Sequence, residues 1–271
     1  MGGQGGGVCE GDGGAMTHLS LFTGIGGFDL AAEMAGFQTV GQVEIDDYCN
    51  RVLEHHWPGV PRWRDVRDVT VESVQQRGIG EITVLSGGFP CQPFSEAGKR
   101  RGAADDRYLW PEMLRIIQEL QPRWVVGENV FGFVNMGLDK SLFDLEGAGY
   151  TCQAFIIPAC AVGAPHKRNR VFIIGCSLSN HPGNGNSKFQ EPYQAAPATR
   201  FINKQITDGL EAGWREVGFT ERWKCEPGVG RMVHGFSGRV DPRIKALGNA
   251  VSPAQAYPIF RAIMEIEEAI P

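Results

Sequence analysis

THLSLFTGIGGFDLAAEMAGFQTVGQVEI, residues 17–45, decides the fold. THLSLF reads as an apolar strand. After a glycine-rich turn, Phe28, Leu30, Ala31 and Met34 recur at helical spacing in GFDLAAEMAG, and TVGQVEI reads as a second strand. Strands alternating with helices in this way imply a mostly parallel sheet. The same alternation continues: DDYCNRVLEHHW is a helix stopped by Pro58, and RWRDV is a short segment leading to a weaker helix. EITVLSGG is a buried strand, LWPEMLRIIQEL an amphipathic helix, and RWVVGENV, TCQAFIIP and RVFIIGC are further strands. The expected fold class is α/β: a doubly wound, mostly parallel, Rossmann-like sheet with ligands at the carboxyl ends of its strands and a small additional lobe.

The turn carries chemistry of its own. Gly24, Gly26 and Gly27 stand between strand and helix, where a backbone approaches a ligand closely or packs tightly against its own chain. A dinucleotide fingerprint needs a third glycine where Asp29 stands, which weakens that reading. Glu44 ends the second strand, where a carboxylate accepts hydrogen bonds from ribose hydroxyls. Together these point to an adenosine ligand without a pyrophosphate, of which S-adenosyl-L-methionine is the commonest.

The stretch GGFPCQPFSEAGKRRGA, residues 87–103, frames Cys91 between Pro90 and Pro93 at the end of another strand and follows it with Lys99, Arg100 and Arg101. Proline fixes its own φ and biases its predecessor to an extended conformation, so the thiol is held in a defined place. A thiolate near basic residues is the nucleophilic form, although a cysteine in a turn is also a common structural residue. The next strand ends in GENV, with Glu128 and Asn129 at the same edge. A carboxyl group there suits a buried general acid or, more plainly, a cap or ion pair. Arg168 and Arg170 alternate with Lys167 and Asn169 before VFIIG, and bidentate donors of this kind suit carboxylates, phosphates or a base carbonyl.

Composition bounds the rest. The chain has 271 residues, 42% of them apolar, with no eighteen-residue apolar run and no signal peptide, so a non-membrane, cytoplasmic protein is expected. Seven cysteines lie scattered without a CxxC pair, and neither a disulfide framework nor a metal site is expected. A net charge of −5 argues against non-specific coating of nucleic acid while leaving room for a local basic cleft. Residues 1–15, dominated by glycine, read as a disordered tail, with Met16 as the expected natural start. The catalytic and cofactor-binding domain is expected over 16–177. A Pro-, Gly- and Asn-rich region with interleaved aromatics follows over 178–238, and 239–271 return to the main domain through the helix SPAQAYPIFRAIMEIEEAI.

With PCQPFS, GENV, HKRNRVFIIG and ALGNAVSP in this order behind TGIGGF, the sequence resembles the DNA cytosine-5 methyltransferase family, in its bacterial and phage-borne form. The resemblance runs from about Thr17 to Pro253 apart from the 178–238 region. It implies that Phe22, Thr23, Gly24, Gly26, Gly27 and Phe28 form the adenosylmethionine pocket, with Phe22 or Phe28 on the adenine. Glu44 would hold the ribose, Asp65 with Val66 the adenine edge, and Asn249 the methionine end. It implies Cys91 as nucleophile, Glu128 as the cytosine-binding carboxyl, and Arg168 and Arg170 beside the flipped base. Pro90, Ser95, Lys99, Arg100, Arg101 and Asn129 would line the substrate, the basic triplet meeting phosphates of double-stranded DNA. Base contacts from 178–238 belong to the same expectation, a monomer is the default for a protein acting on one strand at a time, and a cognate restriction endonuclease is a partner the sequence leaves open. Relatives of this fold that act on transfer RNA and an inactive DNA-binding protein are the competing readings. The phage-like ending favours DNA, and the intact set Cys91, Glu128, Arg168 and Arg170 favours an enzyme. The family usually has glutamine where this chain has His166, which bears on rate.

Overall fold

Among the described residues, seven strands form one sheet in the order β3-β2-β1-β4-β5-β7-β6. The computed structural model describes residues 15–90, 108–179 and 242–269. Residues 1–14, residues 91–107 with Cys91, Ser95, Lys99, Arg100 and Arg101, and nearly all of the expected recognition region lie outside them.

The opening stretch folds as its periodicity predicts: β1 (Thr17–Leu21), α1 (Gly27–Met34) and β2 (Gln38–Val43), with β1 and β2 parallel. After α2 (Asp47–His56), the RWRDV segment contributes a two-residue strand, β3 (Arg62–Trp63), parallel to β2. A 3-10 turn (Val66–Asp68) and the short α3 (Val71–Gln75) follow. β4 (Val84–Gly88) and β5 (Trp124–Val130) extend the parallel set on the other side of β1, joined through α4 (Trp110–Leu120). The sheet ends with β6 (Tyr150–Ile157) and β7 (Arg170–Ser177), where β7 inserts antiparallel between β5 and β6. The doubly wound, mostly parallel sheet expected from the sequence is therefore present. Two helices it did not announce are α5 (Leu138–Gly147), between β5 and β6, and α6 (Pro242–Asn249), ahead of the last helix.

Both faces of the sheet are covered, which is why its central strands read as continuous apolar runs rather than alternating ones. On one face Phe28, Ala31 and Ala32 of α1 pack with Phe260 and Ile263 of the last helix, α7 (Pro253–Ala269), around Phe172. On the other, Trp110, Met113, Ile116 and Ile117 of α4 bury one helical stripe against Leu85, Val125 and Ile173. Fully burying such a side chain stabilises the fold by roughly 1.5–3 kcal/mol. The far end of α7 is locked by Glu267, which accepts from Trp124 Nε1 at 2.7 Å and pairs with Arg123. Among the described residues, no helix is long and apolar enough to cross a membrane.

Winding runs from β1 outward to β3 on one side and from β4 to β5 on the other, so the order reverses between β1 and β4. A crevice opens at the carboxyl ends of strands flanking such a reversal.

Candidate active site at the carboxyl edge of the sheet

The first wall of the crevice is the turn after β1. Thr23 is buried within it: its hydroxyl donates to Ser20 O at 3.0 Å and accepts from Val43 N at 3.1 Å, tying β1 to β2. Phe22 takes a φ of 51°, unusual for a side-chain-bearing residue, and is only partly buried. The three glycines answer to different causes. A Cβ on Gly24 would enter open space, whereas one on Gly26 would stand 2.4 Å from the Trp57 ring and one on Gly27 2.2 Å from Val251 O. Only Gly24 thus faces the crevice. Phe28 is corrected as an adenine contact, because its ring is 2% exposed and meets Phe172 and Phe260 edge-on.

Glu44 sits one residue beyond β2, and its carboxylate accepts Gly24 N and Asp46 N, each at 2.7 Å. Burial raises its pKa, and the two amide donors work against that rise. Asp65 follows β3 at the same edge and accepts Arg67 N at 2.9 Å, with Val66 buried beside it.

Asp29, which displaces the third fingerprint glycine, has a structural task the sequence did not reveal. It is fully buried on α1, accepting Ser20 Oγ at 3.1 Å and Gln42 Nε2 at 2.9 Å, so it fastens helix to sheet.

The second wall is built from β4, β5 and β7. Register places Gly88 opposite Glu128, and Val130 opposite Arg170. Because β7 runs antiparallel, its beginning lies at the carboxyl end of β5. Arg170 Nε therefore reaches Glu128 Oε1 at 2.9 Å, both side chains being almost buried. Glu128 Oε2 lies 3.3 Å from where a Cβ on Gly88 would stand. Burial pushes the Glu128 carboxyl up to about 7, although Arg170 and Arg168 oppose the shift. Desolvation outweighs the ion pair, and the group is poised to hold a proton near neutrality.

Asn129 is corrected as a substrate contact. It is 4% exposed, and its amide is spent on Phe89 O at 2.9 Å and on accepting Val130 N. It braces the backbone just ahead of Pro90. His166 and Lys167 are exposed. Arg168, with a φ of 30°, turns to the third wall: its Nη2 donates to Gly248 O at 3.1 Å and Ala250 O at 2.8 Å. These carbonyls flank the exposed Asn249 at the end of α6 (Pro242–Asn249). Gln255, which the sequence reading passed over, is fully buried and donates to Ile157 O at 2.6 Å and Arg168 O at 3.2 Å. An amide in an apolar helix carries no local signal of such a role.

Comparison with known proteins agrees with this architecture. Residues 16–226 match the C-5 cytosine-specific DNA methylase family. The Type II methyltransferase M.AquIA of Picosynechococcus sp. is 36% identical over 177 residues, covering 59% of this chain and 71% of its own. M.HgiCII of Herpetosiphon aurantiacus, a Type II methyltransferase, is 35% identical over 162 residues, 58% of this chain and 36% of that one. Among the relatives compared, the chain spans from about a third to about 71% of their length. A DNA modification methyltransferase encoded within an E. coli prophage superposes with a TM-score of 0.51 at 28% identity, over 60% of this chain and 47% of the other. A family match over most of the chain, on a sheet with this order, settles membership: the chain belongs to the C-5 cytosine-specific DNA methylases.

Proposed function

We propose that the chain transfers a methyl group from S-adenosylmethionine to carbon 5 of a cytosine extruded from double-stranded DNA, through a covalent adduct on Cys91. The observation that carries this reading is the Glu128–Arg170 pair, set opposite Gly88 three residues before Cys91.

The crevice residues suit the cofactor. Gly24 leaves room beside it, and the Glu44 carboxylate, oriented by two amides, keeps lone pairs for ribose hydroxyls. Phe22, Asp65 and Val66 would take the adenine, and Asn249 the methionine end. When bound, the cofactor supplies an electrophilic methyl group on a sulfonium. The protein's own residues make carbon 5 able to accept it. The Cys91 thiolate adds to carbon 6, and the displaced electron pair turns the ring into an enamine. Glu128, protonated near neutrality, gives its proton to nitrogen 3, and Arg170 donates to the carbonyl oxygen. Once carbon 5 has taken the methyl group, a base such as bound water would take the carbon 5 proton, the Cys91 thiolate would leave carbon 6, and nitrogen 3 would return its proton to Glu128. A stacked base is out of reach of all these groups, so extrusion, costing a few kcal/mol, is part of the reaction.

Lys99, Arg100 and Arg101 would meet phosphates, and residues 178–238 would read the target sequence. The chain acts as a cytoplasmic monomer, and a cognate restriction endonuclease accompanies it; relatives named Type II methyltransferases support that pairing. The test is bisulfite sequencing of a methylation-free host expressing the chain beside a Cys91→Ala control. Methylcytosine confined to one short sequence and missing from the control is expected. A blank genome with folded protein would overturn the reading.

A further inference from the structure

Arg168 stands next to Arg170 in sequence spacing, yet the two side chains do different things. Arg170 turns to Glu128, while Arg168 spends one guanidinium nitrogen on two carbonyls, Gly248 O at 3.1 Å and Ala250 O at 2.8 Å. Those carbonyls lie either side of Asn249. The backbone of Arg168 is held in turn, since its own carbonyl accepts Gln255 Nε2 at 3.2 Å. A clasp results: α7 grips the Arg168 main chain, and the Arg168 side chain grips the α6–α7 junction. Its φ of 30° falls in the left-handed region, which a side-chain-bearing residue occupies only when its surroundings enforce it.

The junction so gripped lies between the two halves of the crevice. Val251 O approaches α1 so closely that only glycine fits at position 27, and Val251 Cγ2 lies 3.3 Å from the Cβ position of Gly88. It therefore touches the turn after β1 and the end of β4 together. A planar guanidinium is suited to hold such a segment, because the two N–H groups of Nη2 sit in a fixed geometry that a flexible ammonium lacks.

We propose that Arg168 is a positioning residue that fixes Asn249 against the cofactor end of the crevice, rather than a contact to the extruded base. The proposal rests on the reading of this edge as an adenosylmethionine site, and it divides the arginine pair by task. Arg170 serves the base, and Arg168 joins the base side to the cofactor side.

The test uses the full chain in wild-type, Arg168→Ala, Arg168→Lys, Asn249→Ala and Arg168→Ala/Asn249→Ala forms. S-adenosylmethionine affinity is measured by titration calorimetry, duplex affinity by fluorescence anisotropy, and backbone exchange at 246–252 by deuterium labelling. Arg168→Ala is expected to weaken cofactor binding at least tenfold, speed exchange at 246–252 at least tenfold, and leave duplex affinity within about threefold. Arg168→Lys should recover part of both losses. In the Asn249→Ala background the Arg168 substitution should add little, since a residue acting through another shows non-additive effects. Full additivity, or unchanged exchange and cofactor affinity with weakened duplex binding, would overturn the proposal. Should Arg168→Ala fail to fold, Arg168→Lys in the two backgrounds carries the same cycle. A wild-type chain that does not bind S-adenosylmethionine would instead overturn the functional reading, so the two failures are distinguishable.

Discussion

Under the proposed reaction Glu128 acts as a carboxylic acid in one step, and its carboxyl is buried beside two guanidinium groups. Burial raises its pKa to about 7 against the pull of Arg170 and Arg168, so the protonated fraction falls tenfold for each pH unit above that point. Under the proposed reaction, kcat/KM should decline along the same limb. Glu128→Gln keeps the shape and one oxygen, but has no proton to give. Its rate is expected to drop by roughly 10²-fold or more, with the decline above pH 7 gone. A declining limb unchanged in the variant would assign the titration to another group. The sequence placed Glu128 and Glu44 at strand ends because GENV and VEI close clear apolar runs. It left Asn129 open as a ligand contact, since only the fold shows its amide spent on Phe89 O.

At the scale of elements, α1 is joined to the sheet by a buried carboxylate as well as by apolar packing. Asp29 accepts from Ser20 on β1 and Gln42 on β2, and burial pushes its pKa up to about 6 from 3.8. The folded state therefore binds this proton more tightly than the unfolded state. The contribution is fully present below pH 3.8 and is lost as pH rises towards 6, by about 1.4 kcal/mol per unit. Asp29→Asn can still accept from Gln42 and has no charge to bury. In urea unfolding it should match wild type near pH 4 and exceed it by about 1–3 kcal/mol at pH 7. Equal destabilisation at both pH values would show the carboxylate to be the preferred partner of Ser20 and Gln42. From sequence, Asp29 registered only as a missing glycine. The reason lies in register, which brings Ser20 and Gln42 beneath the first turn of α1.

For the whole molecule, the return of the chain after residue 241 completes the site. α7 covers one face of the sheet, and its far end is fixed by Glu267, whose side chain is 1% exposed and meets Trp124 Nε1 and Arg123. Glu267→Ala takes the carboxylate from Trp124 Nε1 and from Arg123, which keeps Glu81 at 2.8 Å, so it is expected to cost about 1–3 kcal/mol in denaturant unfolding, with cofactor affinity falling as α7 loosens. A loss below about 1 kcal/mol would mean that apolar packing alone holds the helix. Period and punctuation along the chain determined by themselves that this is a doubly wound α/β protein with a glycine turn at its first strand, because those signals act over a few residues. What only the tertiary structure decided is which glycines face a ligand and which face Trp57 or Val251, that Phe28 belongs to the core, and that Arg168 and Arg170 part ways. Those outcomes depend on residues tens to hundreds of positions apart being brought to one edge of the sheet, and local spacing carries no record of that approach.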